Sequence, residues 1–115
     1  MDKKITLTKA QNAEIARDFQ TAVRLYKELL RDEPDNLEYL SAIGSNYVKA
    51  NEDEKALPFY QKIIDLFPHS ISAMNSMGGI YRRLKRYDES VEILKKALDE
   101  NKEPGTLNYT LGFTY

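Results

Sequence analysis

Met74–Leu84 reads MNSMGGIYRRL: two adjacent glycines, Gly78 and Gly79, with Tyr81, Arg82 and Arg83 close behind. Glycines ahead of basic residues can form a loop whose backbone amides hold a phosphate. The same residues can also belong to a helix in which the glycines serve packing. A step of 34 residues decides between the two. From Gly78 it reaches Gly44 in one direction and Gly112 in the other, and from Tyr81 it reaches Tyr47 and Tyr115. Pro34 and Pro68 share the spacing, as do Ala22 and Ala56, and Tyr26 and Tyr60. Several columns on one period mark an internal repeat. The phosphate-loop spacing G-x-x-x-x-G-K-[ST] is absent, and no strand precedes the glycines.

Each repeat reads as two helices. SAIGSNYVKA and SMGGIYRRL lack proline and set apolar residues three and four apart, as one helical face requires. EKALPFYQKIIDLF and DESVEILKKALDE repeat that pattern after a short polar break. Asn51 and the pair Lys85–Arg86 mark the breaks, and Asn tolerates a left-handed backbone. Pro34 and Pro68 stop the second helices, because proline disfavours the α conformation in the residue before it. Pro58 falls just past the first turn of a second helix, where a mild bend is expected.

The unit resembles the tetratricopeptide repeat (TPR), a helix–turn–helix of 34 residues with the pattern W-x2-L-G-x2-Y, then A-x3-F, then P. Leu40, Ile43, Gly44, Tyr47, Ala56, Tyr60 and Pro68 fill one unit. Met74, Met77, Gly78 and Tyr81 fill the next, with Ser90 and Leu94 as conservative departures and Pro104 two residues late. Phe19, Ala22, Tyr26 and Pro34 match the second helix of the first unit. Its first helix matches poorly, with Ala10 and Ala13 in place of glycine and tyrosine. The resemblance implies an all-α fold, a right-handed α-solenoid of antiparallel helix pairs with about seven helices. The expected units are residues 3–36, 37–70 and 71–104, with a half-unit at 105–115. TLNYTLGFTY repeats a first helix and ends without a polar cap, so a fragment of a longer protein is expected. Residues from about Thr106 are expected to bury Leu107 or Leu111 against the preceding helix, and any apolar face left open there would favour self-association.

Composition narrows the function. The 115 residues carry 17 basic and 18 acidic side chains, a balance that argues against a dedicated nucleic-acid binder. With no cysteine and the single histidine His69 in an inter-repeat loop, no metal or cofactor site is expected. G-x-S-x-G is absent too, and the acidic run Glu52–Glu54 reads as a solvated helix start, so no catalytic residue is expected. No apolar run reaches signal-peptide or membrane-span length, which points to a cytoplasmic protein away from membranes. Residues 28–54 carry two basic and eight acidic side chains, a balance of −6, whereas residues 71–98 carry six basic and three acidic, a balance of +3. The cations Arg82, Arg83, Lys85 and Arg86 suit the C-terminal end of a helix dipole. They would also suit an acidic partner.

In TPR proteins the first helices line a concave groove that holds extended peptides. Carried over by register, the groove columns are Glu38, Ser41, Ser45, Val48 and Lys49; then Ser72, Asn75, Gly79, Arg82 and Arg83; then Thr106, Tyr109 and Phe113. This lining is small and polar with a basic rim, which suits a peptide with acidic groups near the third unit. The chaperone-type carboxylate clamp of the family is not expected. Its places hold Leu7, Gln11, Ala42, Ser72 and Ser76, or, one unit on, Ser41, Ser45, Ser76, Thr106 and Thr110. The implied function is a non-catalytic protein-interaction scaffold. Its rivals are a self-association module and a regulatory domain of a larger protein.

Overall fold

A computed structural model describes residues 3–101. Among them are six α-helices and no strand: α1 (Lys3–Ile15), α2 (Phe19–Asp32), α3 (Leu37–Lys49), α4 (Asp53–Leu66), α5 (Ile71–Arg83) and α6 (Tyr87–Asn101). Each helix packs chiefly on its neighbours in the chain. The pairs stack into a right-handed solenoid of 44 × 32 × 24 Å. The half-unit 105–115, with Thr106, Tyr109, Phe113 and the expected burial of Leu107 or Leu111, lies outside the described residues.

The 34-residue period extends to the backbone. Arg17, Asn51 and Lys85 have φ of 62°, 66° and 63°. Beside each, the N–H of Asp18, Glu52 or Arg86 donates to the carbonyl of Ala13, Tyr47 or Tyr81, at 2.8 Å in all three. This left-handed closure satisfies carbonyls that a helix end would otherwise leave unpaired. The breaks at Asn51 and Lys85 fall where the sequence placed them, and Arg17 adds a third. The second turn type repeats as well. Asn36 accepts a hydrogen bond from the N–H of Tyr39 at 3.0 Å, and Ser70 one from the N–H of Ala73 at 3.3 Å, capping α3 and α5. The helices α2 and α4 end at Asp32 and Leu66, and Glu33 and Phe67, which precede the two prolines, have left the helical backbone region. Pro58 lies inside α4, where its missing N–H removes one helical hydrogen bond.

Packing explains the repeated columns. A Cβ on Gly44 would lie 2.7 Å from Cε2 of Tyr60, and one on Gly78 would lie 2.4 Å from Cδ2 of Leu94. Each glycine therefore lets the second helix of its unit lie directly on the first. Ala10 does the same work in the first unit with a methyl group and is fully buried. Small size in that column is what the contact needs, so α1 folds despite its weak match. Leu40, Ile43, Met74, Met77 and Ile80 are the largest fully buried apolar residues, and together they run through the second and third pairs. Each such side chain contributes roughly 1.5–3 kcal/mol on leaving water. Ser90, where an alanine is usual, donates to the carbonyl of Gly78 at 2.8 Å, so its buried hydroxyl is satisfied.

One polar cluster ties the first unit to the second. Glu14 of α1 accepts from the Tyr26 hydroxyl at 3.0 Å and from the Asn46 amide at 2.8 Å. Asn46 is fully buried and also donates to the carbonyl of Ala42. Burial and the Glu14 carboxylate push the Tyr26 hydroxyl well above the usual tyrosine range.

Candidate functional site

On an α-helix, residues four apart share a face. Ser41, Ser45 and Lys49 form such a stripe on α3, and Asn75, Gly79 and Arg83 form one on α5. The two stripes meet over a hollow of about 320 Å³, lined by Ser45, Val48, Lys49, Tyr60, Asn75, Ser76, Gly79, Ile80 and Arg83. Six of the expected groove residues thus come together: Ser45, Val48, Lys49, Asn75, Gly79 and Arg83. Glu38, Ser41, Ser72 and Arg82 are exposed on the same two helices but do not line this hollow. Tyr109 lies outside the described residues.

Sequence reasoning missed three lining residues, Tyr60, Ser76 and Ile80. Tyr60 and Ile80 belong to the core, with 7% and 1% of their surfaces exposed, and only one edge of each reaches the hollow. A pattern read as core or groove gives each position a single role, so a residue serving both is not picked out. The phenol oxygen of Tyr60 was the available signal, because a tyrosine in a phenylalanine column needs a polar outlet. Burial raises its hydroxyl above the ordinary value, while the hydrogen bond with Ser76 and the charge of Arg83 pull the other way.

The basic rim is less free than its composition implies. Arg83 holds Asp53 with two hydrogen bonds, Nε at 2.8 Å and a terminal nitrogen at 3.2 Å, and that carboxylate keeps its guanidinium more basic still. Arg86 grips Glu89 in the same forked manner and stacks over the Tyr81 ring at 4.9 Å. Lys49, Arg82 and Lys85 make no ion pair among the described residues. The charge available to a visitor at the hollow is therefore chiefly that of Lys49. Polar capacity is also unused, since neither the Asn75 amide nor the Ser45 hydroxyl has a hydrogen-bond partner among the described residues.

The glycines of α5 differ sharply. Gly78 is pressed against Leu94, whereas a Cβ on Gly79 would meet nothing within 4 Å. A glycine inside a helix costs about 1 kcal/mol relative to alanine. Gly78 recovers that through close packing. No contact within the described chain does so for Gly79.

Little in the described residues resembles chemistry. His69 is exposed and meets Glu100 at 2.6 Å, which fastens the inter-repeat loop to α6. No group of three or more metal-ligating side chains occurs among the described residues. No described helix is long and apolar enough to cross a membrane. The carboxyl groups with displaced acidity, Asp18, Glu33, Glu52 and Glu89, are all lowered by hydrogen bonds or cations. A general acid working near neutrality needs the opposite displacement.

Comparison with known proteins agrees with this geometry. Two profiles described as tetratricopeptide repeat match, over residues 7–71 and 70–103. Protein FlbA of Caulobacter vibrioides is 30% identical over 95 residues, which are 83% of this chain and 16% of that protein. The photosystem I assembly protein Ycf3 of a Synechococcus strain is 36% identical over 75 residues, 63% of this chain and 43% of that protein. The chain thus spans less than half of either relative. Among solved structures, a MamA protein superposes with a TM-score of 0.82 at 22% identity, covering 99% of this chain and 61% of that one. The Sgt2 TPR domain from Aspergillus fumigatus gives 0.74 at 20% identity, covering 90% and 68%. Period, turn geometry and these matches converge, and the chain belongs to the tetratricopeptide repeat family.

Proposed function

We propose that this interaction scaffold holds an extended segment of a partner protein along the α3/α5 side and performs no chemistry on it. One observation carries the reading. Two stripes 34 residues apart in sequence close on a single hollow where the Asn75 amide and the Ser45 hydroxyl are not used by the fold. An extended peptide offers a donor and an acceptor at each residue, which a side-chain amide such as Asn75 can meet together. Lys49 and the nearby Arg82 favour a segment with acidic side chains. A variant with Asn75→Ala, Arg82→Ala and Arg83→Ala is expected to lose partner proteins that the wild-type chain retains from lysate of its source cells. Lys95→Ala with Lys96→Ala, on α6 beside a different hollow, is expected to keep them. Equal retention by the triple variant moves the site off this face.

A second reading is favoured by α6, which leaves Val91, Leu94 and Leu98 exposed. Ile71, Asn75, Leu94, Ala97 and Leu98 line a further hollow of about 350 Å³ there. Such a face supports self-association. Sedimentation velocity decides it: association that Leu94→Gln with Leu98→Gln abolishes supports the reading, and a monomer at all concentrations removes it.

A further inference from the structure

We infer that the hollow beside Gly79 is a side-chain pocket, selecting an apolar residue of the bound segment with an acidic residue next to it, and that Gly79 keeps it open. The inference rests on the groove reading above and adds the chemistry of the occupant.

Three features of the hollow point the same way. Val48, the Tyr60 ring and Ile80 give its lining an apolar part, against which an aliphatic side chain leaves water, while the Ser45 hydroxyl and Asn75 amide are left for the backbone of the segment. Gly79 and Ser45, equivalent positions of consecutive units, both line it, and both are small. Its rim carries Lys49, exposed and without a counter-ion among the described residues, whereas the neighbouring Arg83 is already matched by Asp53. A volume near 320 Å³ accommodates one aliphatic side chain with its adjoining backbone, which is at the small end of ligand pockets.

Gly79 connects the pocket to the sequence. It has neither a left-handed backbone nor a close neighbour to account for a glycine. What remains is the space its missing side chain leaves, which is how glycine permits a ligand's close approach. Gly78, one residue away, is explained by Leu94 and does not line the hollow.

The test uses the full chain, labelled with nitrogen-15, and three short peptides blocked at both ends: alternating glutamate and leucine, glutamate and glycine, and lysine and leucine. The glutamate–leucine peptide is expected to shift the amides of Ser45, Lys49, Asn75 and Gly79, and the other two are expected to bind at least tenfold more weakly. Gly79→Leu is expected to weaken the first peptide at least tenfold while the chain stays helical. Gly79→Ala provides the folding control, because a methyl group in open space raises Tm by roughly 4–8 °C through helix propensity alone. If all three peptides shift these amides alike, the groove stands and the selectivity falls. If none shifts them, or if Gly79→Leu binds like the wild type, the inference is overturned. Loss of the groove itself is read separately, from partner retention by the triple variant.

Discussion

The helices α4 and α6 hold the same place in consecutive units, yet they meet different surroundings. On α4, Tyr60 and Ile64 are buried, at 7% and 9% exposure, with α5 packed against that helix. Their equivalents on α6, Leu94 and Leu98, are 38% and 55% exposed. The local sequence is helical and amphipathic in both, so the difference comes from the neighbour. A unit of such a stack contributes an apolar face, and the following unit buries it. Stability should therefore grade along the chain, with the second unit as its firmest part.

Truncation of the paired side chains should separate the two helices most. Tyr60→Ala removes a buried ring and is expected to cost about 3–5 kcal/mol. Leu94→Ala is expected to cost about 1 kcal/mol, because more than a third of the residue is already in water. Urea denaturation of the two variants checks the pair. Equal losses would mean that α6 is covered as fully as α4.

The glycines beneath those side chains sharpen the contrast. At Gly44 a methyl group would strike the Tyr60 ring, which is buried among core side chains at 7% exposure. Overpacking there costs about 1–3 kcal/mol, and the roughly 1 kcal/mol of recovered helix propensity offsets only part of it. Gly44→Ala is therefore expected to destabilise by up to about 2 kcal/mol. At Gly78 the struck atoms are the end of Leu94, which is free to swing toward solvent. Gly78→Ala is expected to lie within about 0.5 kcal/mol of the wild type, the two effects cancelling. Thermal unfolding would expose an error if Gly78→Ala proved the worse of the two.

A smaller effect of opposite sign separates the three turns. Arg17, Asn51 and Lys85 all take the left-handed backbone, which disfavours residues with a Cβ and is tolerated best by Asn. Lys85→Gly and Arg17→Gly are each expected to stabilise by about 0.5–1 kcal/mol, and Asn51→Gly by less. Chemical denaturation is the measurement. An unchanged midpoint in Lys85→Gly would show that glycine's extra freedom in the unfolded chain cancels the relief.

These positions also show what could be read from residues alone. The period located helix pairs, proline stops, packing glycines and two of the three turns, because each depends on backbone register or on a small volume. Arg17 gave no signal, since arginine has no preference for that backbone. The first helix looked a poor match, because Ala10 and Ala13 serve through smallness rather than identity. Six groove residues were legible from register, yet the pairing of Arg83 with Asp53 and the bridge from Glu14 to Asn46 were not. Those partners lie 30 and 32 residues apart, off the repeat, and depend on how long side chains reach across a helix junction. Register locates a side chain on a face. It does not say which neighbour that side chain satisfies.

Positions 18, 52 and 86 are equivalent in the three units but carry different side chains. They immediately precede α2, α4 and α6, and hold Asp18, Glu52 and Arg86. Asp18 caps its helix by accepting from the N–H of Thr21 at 3.3 Å, whereas Glu52 makes no capping bond and is engaged by Lys55 and Gln20 instead. Hydrogen bonding from Thr21 holds the Asp18 carboxyl below its ordinary value. A carboxyl lowered by folding stabilises the chain above its unfolded value, near 3.8, and that contribution fades as pH falls through the folded value. Asparagine caps a helix without titrating. Asp18→Asn should therefore match the wild type at neutral pH and lose less stability on acidification below about pH 4. Asp18→Ala should be weaker at neutral pH and share the flatter acid profile. Parallel acid curves for wild type and Asp18→Asn would mean that the acid sensitivity arises at Glu33, Glu52 and Glu89, where Lys3, Lys55 and Arg86 keep the carboxyls ionised.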